Sequence, residues 1–163
     1  MLSYAFTTLT PTEDDEIAAE EFDNIHNLFA AILAKGIGQQ LKQGLYREYL
    51  NRKEDMPVMR GKIDMPGTIK NRLARKQVLT CEYDELSENN LLNQILKTTV
   101  MLLIRHAKVN AEYKSDLKKE MLFFSAVDTI EPASIKWTTI RFQRSNQSYR
   151  MLISLCQFIL EGM

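Results

Sequence analysis

The chain has few of the residues on which several common chemistries depend. Its 163 residues include two cysteines, two histidines and one tryptophan, and its 21 basic residues equal its 21 acidic ones. Cys81 and Cys156 lie far apart with no Cys/His cluster at zinc spacing, so we expect two reduced, buried thiols rather than a metal site or a disulfide framework. A formal net charge of zero excludes a whole-molecule attraction to nucleic acid or to an anionic membrane.

Long hydrophobic runs are also missing. The longest apolar run, VMLLI at 100–104, is far shorter than the roughly 20 residues that cross a bilayer. The first ten residues, MLSYAFTTLT, lack the basic region of a signal peptide. These absences predict a cytoplasmic protein with no membrane partner, and the length and composition predict one soluble globular domain.

Catalytic motifs are absent as well. There is no GxSxG, and His26 and His106 each lie on an apolar helical stripe, where a packed histidine is the better interpretation than a general base. The glycines of 36–44 do not match a phosphate-binding loop. DLK at 116–118 falls on a lysine-rich helical face, and EYD at 82–84 has no lysine at nuclease spacing. We therefore expect no catalytic residue, metal site or nucleotide site in this chain.

The middle of the chain differs in pattern from its two ends. TPTE at 10–13 forms a capping box, and apolar residues then recur at helical spacing towards Gly44, a position suited to end a helix. Over 45–86 apolar and polar residues alternate as they do in strands. Three apolar residues mark its short strands: Val58, Ile63 and Met65. This region is predicted to form a β finger element.

Helical patterns follow the finger element along the chain, and one further helical pattern lies within it. Ser87 or Glu88 is expected to begin a helix that is apolar around most of its circumference and is therefore central and buried. Shorter helical patterns cover 67–75, 114–123 and 146 to the end. The prediction is a single α+β domain over 1–163, mostly α, with a small β-hairpin or finger element inserted between the first long helix and the central buried helix.

The stretch CEYDELSENNLLNQIL at 81–96 raises the question of a metal or catalytic centre. Its acids precede the central helix, where acids and a Ser cap satisfy free N–H groups and the helix dipole. These acids are Glu82, Asp84, Glu85 and Glu88. Asn90 and Asn93 share a helix face and are suited to bind neighbouring backbone. We interpret the stretch as a strand-to-helix corner.

Charge is concentrated in two segments. Residues 10–23 hold seven acids and no base, whereas residues 60–76 hold six cations against Asp64 alone. The six cations are Arg60, Lys62, Lys70, Arg72, Arg75 and Lys76. Arg60 and Lys62 would project from the finger element, and Gly61 between them permits close approach of another backbone.

The basic segment admits three interpretations. It is a solvated face, a surface for phosphates of nucleic acid, or a surface for acidic groups of a partner protein. Tyr83 and Trp137 are the candidate stacking aromatics, and neither is interleaved with the basic segment, which weakens single-strand binding.

Five pieces of the sequence occur in a distinctive order. They are MLSYAF (1–6), GLYREYL (44–50), MRGKIDMPGTIKNRL (59–73), CEYDELSENNLLNQILKTT (81–99) and RFQRSNQSYRMLISLCQFILEG (141–162). Together they resemble the McrC family, the non-GTPase subunit of the McrBC 5-methylcytosine restriction system. The residues that form the recognisable signature are Gly61, Tyr83, Asp84, Glu85, Asn90 and Asn93.

The resemblance implies the amino-terminal part of an McrC subunit. In that family this part binds McrB, an AAA+ GTPase that forms hexameric rings, and stimulates its GTP hydrolysis. A carboxy-terminal PD-(D/E)xK nuclease domain, which this chain does not match, cuts the DNA. The resemblance therefore implies that this chain alone is not an enzyme and contacts DNA only through the complex. It also implies that GTP and Mg²⁺ bind to the McrB partner and that Mg²⁺ binds to the nuclease domain, so that this chain itself has no cofactor.

The same resemblance gives the basic segment a role. The residues expected to contact McrB or its nucleotide site are Arg60, Lys62, Lys70, Arg72 and Arg75. The alternative, a stand-alone nucleic-acid-binding module that uses residues 60–76, remains open.

Overall fold

A computed structural model describes residues 25–162 of the chain, and these form two compact units. One, the helical unit, comprises residues 25–46 and 91–162; the other, the finger unit, comprises residues 47–90. Between 25 and 162 the elements are, in order, α1 (Ile25–Gln43), β1 (Glu48–Met56), β2 (Lys62–Ile63), α2 (Met65–Leu73), β3 (Leu79–Ser87), α3 (Leu91–Arg105), α4 (Ala111–Met121) and α5 (Arg150–Gly162). The predicted mostly helical α+β fold, with a small sheet between the first long helix and the central helix, is confirmed.

Among the described residues, the main hydrophobic cluster lies in the helical unit. Because α1, α3 and α5 carry apolar residues at three- and four-residue spacing, each presents an apolar face to the others. The largest fully buried side chains include Leu33, Ile95, Leu103, Tyr149 and Leu155. Short 3-10 turns connect α4 to α5 across the stretch that the sequence predicted to be irregular. No side chain from residues 47–90 belongs to this core.

The observed ends of several elements test the sequence patterns. α1 ends at Gln43, and Gly44 adopts the left-handed φ of 94° that a helix stop requires, as predicted. The predicted start of the central helix at Ser87 or Glu88 is wrong, because β3 continues through Ser87 and α3 begins at Leu91. Ser87 Oγ instead accepts a hydrogen bond from the backbone N–H of Asn89 (3.0 Å), in the turn between the two elements.

The predicted strand positions of Val58 and Met65 are also wrong. β2 contains only Lys62 and Ile63, and Met65 is the first residue of α2. Asp64 caps that helix, because its carboxylate accepts a hydrogen bond from the backbone N–H of Gly67 at 3.0 Å. The capping box at 10–13, the acidic segment 10–23 and the piece 1–6 lie outside the described residues.

The two cysteine thiols are buried, and the two histidine rings pack against each other. Cys81 and Cys156 are free and buried, as predicted, and burial raises the pKa of Cys156 to about 12. The rings of His26 and His106 stack with centroids 3.8 Å apart, which confirms the packed interpretation. Burial, followed by the charges of His106 and Lys108, lowers the pKa of His26. None of the helices between residues 25 and 162 has the length and apolar character to cross a membrane.

Candidate functional site

The finger unit is built on a three-stranded antiparallel sheet in the order β1-β3-β2. β1 pairs with β3 along its whole length, from Glu48 opposite Ser87 to Met56 opposite Leu79. β2 adds two pairs, Lys62 opposite Glu82 and Ile63 opposite Cys81. The sheet therefore brings the start of the basic segment beside the middle of β3.

Arg60 is held against an aromatic ring at this point. Its guanidinium carbon lies 4.0 Å from the centroid of the Tyr83 ring, and the Tyr83 hydroxyl donates a hydrogen bond to Glu54 Oε2 at 3.0 Å. Burial, then the bond to Glu54, raises the pKa of Tyr83. The guanidinium carbon lies over the ring, and among the described residues the N–H groups of Arg60 form no hydrogen bond or ion pair.

Gly61 makes this arrangement possible. Its φ is 66°, in the left-handed region, and a Cβ at this position would lie 2.5 Å from the carbonyl oxygen of Glu82 and 2.8 Å from Cβ of Tyr83. The predicted close approach of another backbone is thus observed, because the backbone between Arg60 and Lys62 lies directly on β3.

The contact between α2 and the sheet is polar. Asn71 Nδ2 donates to Asp55 Oδ1 and to Thr80 Oγ1, both at 2.9 Å, and the Thr80 hydroxyl donates to Asp55 Oδ1 at 2.6 Å. The Thr68 hydroxyl accepts from the backbone N–H of Thr80 at 3.1 Å. The hydrogen bond from the Thr80 hydroxyl, and after it the bond from Asn71, lowers the pKa of the Asp55 carboxyl. Hydrogen bonds therefore hold α2 on the sheet where apolar contacts would be usual.

The five predicted partner-binding cations are all exposed but do not form one cluster. Arg60 and Lys62 border a cleft of about 520 Å³ with Asn51, Tyr83 and Asp84. Arg72 and Arg75 line a second groove of about 600 Å³ with Lys76, Pro57, Thr68 and Val78, and Lys70 borders neither. Within residues 25–162 none of these cations forms an ion pair.

Two acids of the 81–96 stretch, Asp84 and Glu85, have a different role from the predicted one. Glu85 pairs with Arg52 at 3.2 Å, and Asp84 Oδ1 accepts from Asn51 Nδ2 at 3.3 Å. Glu88, in the turn after β3, pairs with Arg47 at 3.5 Å. The prediction that Asp84 and Glu85 cap the central helix is wrong, because β3 holds both opposite β1. The predicted strand-to-helix corner is observed between Ser87 and Leu91.

The two asparagines bind backbone carbonyls, as the sequence predicted. Asn90 Nδ2 donates to the Ser87 carbonyl at 3.1 Å, and Asn93 Nδ2 donates to the Tyr46 carbonyl at 3.0 Å. Tyr149 links both ends of the second bond: its hydroxyl donates to Asn93 Oδ1 at 2.7 Å and accepts from the Tyr46 N–H at 2.8 Å. This buried network holds the residue that precedes the finger unit.

Several site residues have no signature in the sequence. Glu54, Asp55, Asn71 and Thr80 support the basic segment, but their partners lie 9 to 29 residues away along the chain. Local patterns therefore do not identify them. Among residues 25–162, no three or more His, Cys, Asp or Glu side chains converge as a metal site would require.

Comparisons with known proteins extend over the whole sequence. The family model described as McrBC 5-methylcytosine restriction system component matches residues 1–163. The chain is 25% identical over 162 residues to the Type IV methyl-directed restriction enzyme EcoKMcrBC of Escherichia coli K12, a match that covers 99% of this chain and 47% of that protein.

Solved structures share the fold. A chain of the Thermococcus gammatolerans McrBC complex, determined by cryo-EM, matches with a TM-score of 0.70 and 22% identity over 96% of this chain and 49% of its own. A half-complex from a tetradecameric assembly of Thermococcus gammatolerans McrB AAA+ hexamers with bound McrC matches with a TM-score of 0.67 and 24% identity, over 89% of this chain and 36% of its own. The chain thus spans about half the length, or less, of the relatives it matches. It belongs to the McrBC family of 5-methylcytosine restriction system components.

Proposed function

We propose that this chain is the McrB-binding part of an McrC-like subunit, and that its finger unit stimulates GTP hydrolysis by an McrB-type ring. Family membership supports this role, as does the fold shared with chains of the McrBC complex and of McrB hexamers with bound McrC. In this proposal the chain works in the cytoplasm without catalytic activity of its own and couples GTP hydrolysis to DNA cleavage by a nuclease domain. GTP and Mg²⁺ bind to the partner, and Mg²⁺ also to that nuclease domain.

The position of Arg60 carries the proposal. Its stack on Tyr83, itself held by Glu54, fixes the guanidinium before any partner arrives, so little side-chain entropy remains to be lost on binding. The unpaired N–H groups of Arg60 match the acceptor oxygens of a carboxylate or a phosphate. A positioned arginine of this kind either stabilises charge at the GTPase site or orients a partner residue that does so.

Phosphate release by a cognate McrB-type GTPase tests this role. We expect the chain to raise the rate, and Arg60→Ala to lower the stimulated rate by roughly 10- to 100-fold without loss of the complex on size-exclusion chromatography. Arg144→Ala is the matched control, because Arg144 is exposed in the helical unit and forms no ion pair among the described residues. A demonstrated complex with an unchanged GTPase rate would reject the stimulating role, and full stimulation by Arg60→Ala would reject the role of Arg60.

A second candidate is a nucleic-acid-binding module, which the unpaired cations of the finger unit favour. It requires binding to DNA by the chain alone, with an affinity that falls steeply as salt rises because phosphate contacts release counterions. A titration of duplex and single-stranded DNA at about 50 mM and 200 mM salt measures that slope. Undetectable binding at low salt removes this candidate.

A further inference from the structure

Helix α2 of the finger unit has its polarity reversed relative to an ordinary surface helix. A surface helix buries its apolar stripe and exposes its polar face. In α2 the side that meets the sheet contains Gly67, Thr68 and Asn71, which are buried or half-buried and are joined to Asp64 and Thr80 by hydrogen bonds. The apolar residues are the exposed ones.

Three of these residues form a continuous stripe. Met65, Ile69 and Leu73 are 58%, 52% and 82% exposed, and at four-residue spacing each is rotated only about 40° from the one before. Gly67 and Asn71 lie on the opposite side of the helix on the same geometry. The stripe therefore lies along the middle of the solvent face.

The stripe is bordered by positive charge on both sides. At about 100° per residue, Lys70 falls on one side of it and Arg72 on the other. Neither side chain forms an ion pair within the described residues, and the sequence has no acid between Met65 and Lys76. An apolar surface with a cationic border fits a complementary surface that is apolar at its centre and acidic at its rim.

This charge pattern selects among the possible occupants. In a symmetric dimer the same patch would meet itself, which would bring the cations of two copies together at a repulsive distance. A nucleic-acid backbone would satisfy the cations but would leave the apolar side chains without a complementary surface. An acidic protein groove satisfies both features.

We propose that the α2 stripe docks into an apolar groove with an acidic rim on the McrB-type GTPase ring. This inference rests on the proposed function and names the surface through which the finger unit binds. The apolar side chains supply the attraction that keeps the complex together, and the flanking cations accelerate its formation and orient it.

Binding kinetics to the cognate GTPase, loaded with a non-hydrolysable GTP analogue, separate these contributions. The Ile69→Gln, Leu73→Gln double variant should raise the dissociation rate and weaken binding by at least about tenfold, because buried apolar anchors hold an interface together. The Lys70→Gln, Arg72→Gln double variant should instead lower the association rate and flatten its dependence on salt. Circular dichroism melts that match the unmodified chain show that each variant is folded.

Leu122→Gln is the matched control, because Leu122 is exposed to a similar degree, 76%, but lies in the helical unit. It should bind like the unmodified chain. If the unmodified chain does not bind the ring, the proposed function itself fails. If the chain binds and the Ile69→Gln, Leu73→Gln variant binds equally well, the stripe has no part in docking and the proposed function stands.

Two further measurements identify a different occupant. One is sedimentation with vesicles of phosphatidylserine and phosphatidylcholine, and the other is self-association by analytical ultracentrifugation. If the Ile69→Gln, Leu73→Gln variant loses vesicle binding or self-association while it still binds the ring, the stripe serves a bilayer or a second copy and the proposal is overturned.

Discussion

At the scale of single residues, Gly61 has the most demanding position in the finger unit. It combines a left-handed φ of 66° with a backbone that lies against Glu82 and Tyr83 on β3. The neighbouring Arg60 reaches the Tyr83 ring only because this backbone comes so close. One residue without a side chain therefore determines where the Arg60 guanidinium is held.

Gly61→Ala should weaken the finger unit locally. The added methyl meets backbone atoms that cannot move aside cheaply, so we expect a cost of about 2–4 kcal/mol from strain and overpacking together. Amide hydrogen exchange measures this loss as reduced protection of β3.

Gly44→Ala is the matched control for Gly61→Ala. Gly44 has a positive φ of 94° but nothing within 4 Å of its Cβ position, so only the backbone strain of about 1 kcal/mol applies. Equal protection of β3 in the Gly61→Ala variant and the unmodified chain would contradict the close-approach argument.

Residues of this kind differ in how far the sequence reveals them. Gly61 between two cations and the Asn90/Asn93 spacing are local features, and the roles expected from them are observed. Asp55 and Thr80 occupy strand positions that no local feature of the sequence distinguishes. Their importance comes from a hydrogen bond across 25 residues of sequence, which no local pattern encodes.

At the scale of elements, helices were predicted more reliably than their surroundings. The apolar repeats of α3 and α5 predict buried helices because intrahelical spacing alone determines those faces. The acids at the end of β3 were misassigned as helix caps because their partners are on β1, 33 residues away in the case of Arg52 and Glu85. The sequence predicts the helical turns over 67–75. It does not predict the reversed polarity of α2, because that polarity depends on partners in β1 and β3.

Glu120 of α4 lies against α1 in an environment that disfavours its charge. Its Oε2 would be 3.0 Å from a Cβ at Gly38, and its Oε1 is buried with no hydrogen-bond partner among the described residues. Burial, then the charge of Asp116, raises the pKa of Glu120 to about 8, although Lys35 and Lys119 line the same groove. The carboxyl group is thus largely protonated at neutral pH.

The packing of α4 on α1 should therefore depend on pH. Because the folded pKa of Glu120 exceeds its ordinary value of 4.5, the folded state binds the proton more tightly, and stability falls as pH rises from 4.5 towards 8. Glu120→Gln removes this loss and should stabilise the helical unit at pH 8.5 by about 1–3 kcal/mol, a value reduced to allow for partial exposure. At pH 4.5 the gain should largely vanish.

Urea unfolding at the two pH values measures this difference. Trp137, the single tryptophan, lies in the helical unit and reports its unfolding by fluorescence. Glu112→Gln on the exposed first turn of α4 serves as the control and should show no such dependence. A gain from Glu120→Gln that is the same at both pH values would contradict the burial argument.

At the scale of the whole molecule, stability and the proposed activity are divided between the two units. The hydrophobic core belongs to the helical unit, and the basic segment and the α2 stripe belong to the finger unit. The network of Tyr46, Asn93 and Tyr149 fixes the residue before the finger unit within 3.0 Å of the helix that follows it. We therefore expect the helical unit to fold when the finger unit is removed.

Replacement of residues 47–90 by a flexible linker of about four residues tests this division. Since Tyr46 and Asn93 are hydrogen bonded, such a linker spans the gap without strain. We expect a cooperative thermal transition near that of the full chain, followed by circular dichroism, and complete loss of GTPase stimulation. An unfolded deletion variant would show that the helical unit depends on the finger unit, and retained stimulation would place the activity elsewhere.

The reversed polarity of α2 also has a consequence for heat capacity. Unfolding raises heat capacity mainly by exposing apolar surface, and the finger unit already exposes Met65, Ile69 and Leu73 while it buries few apolar side chains. The temperature profile of its stability should therefore be nearly straight, whereas that of the helical unit is curved and weakens on cooling below its maximum. For this segment, the proposed docking rather than folding would remove apolar side chains from water, so the large negative heat-capacity change should accompany docking.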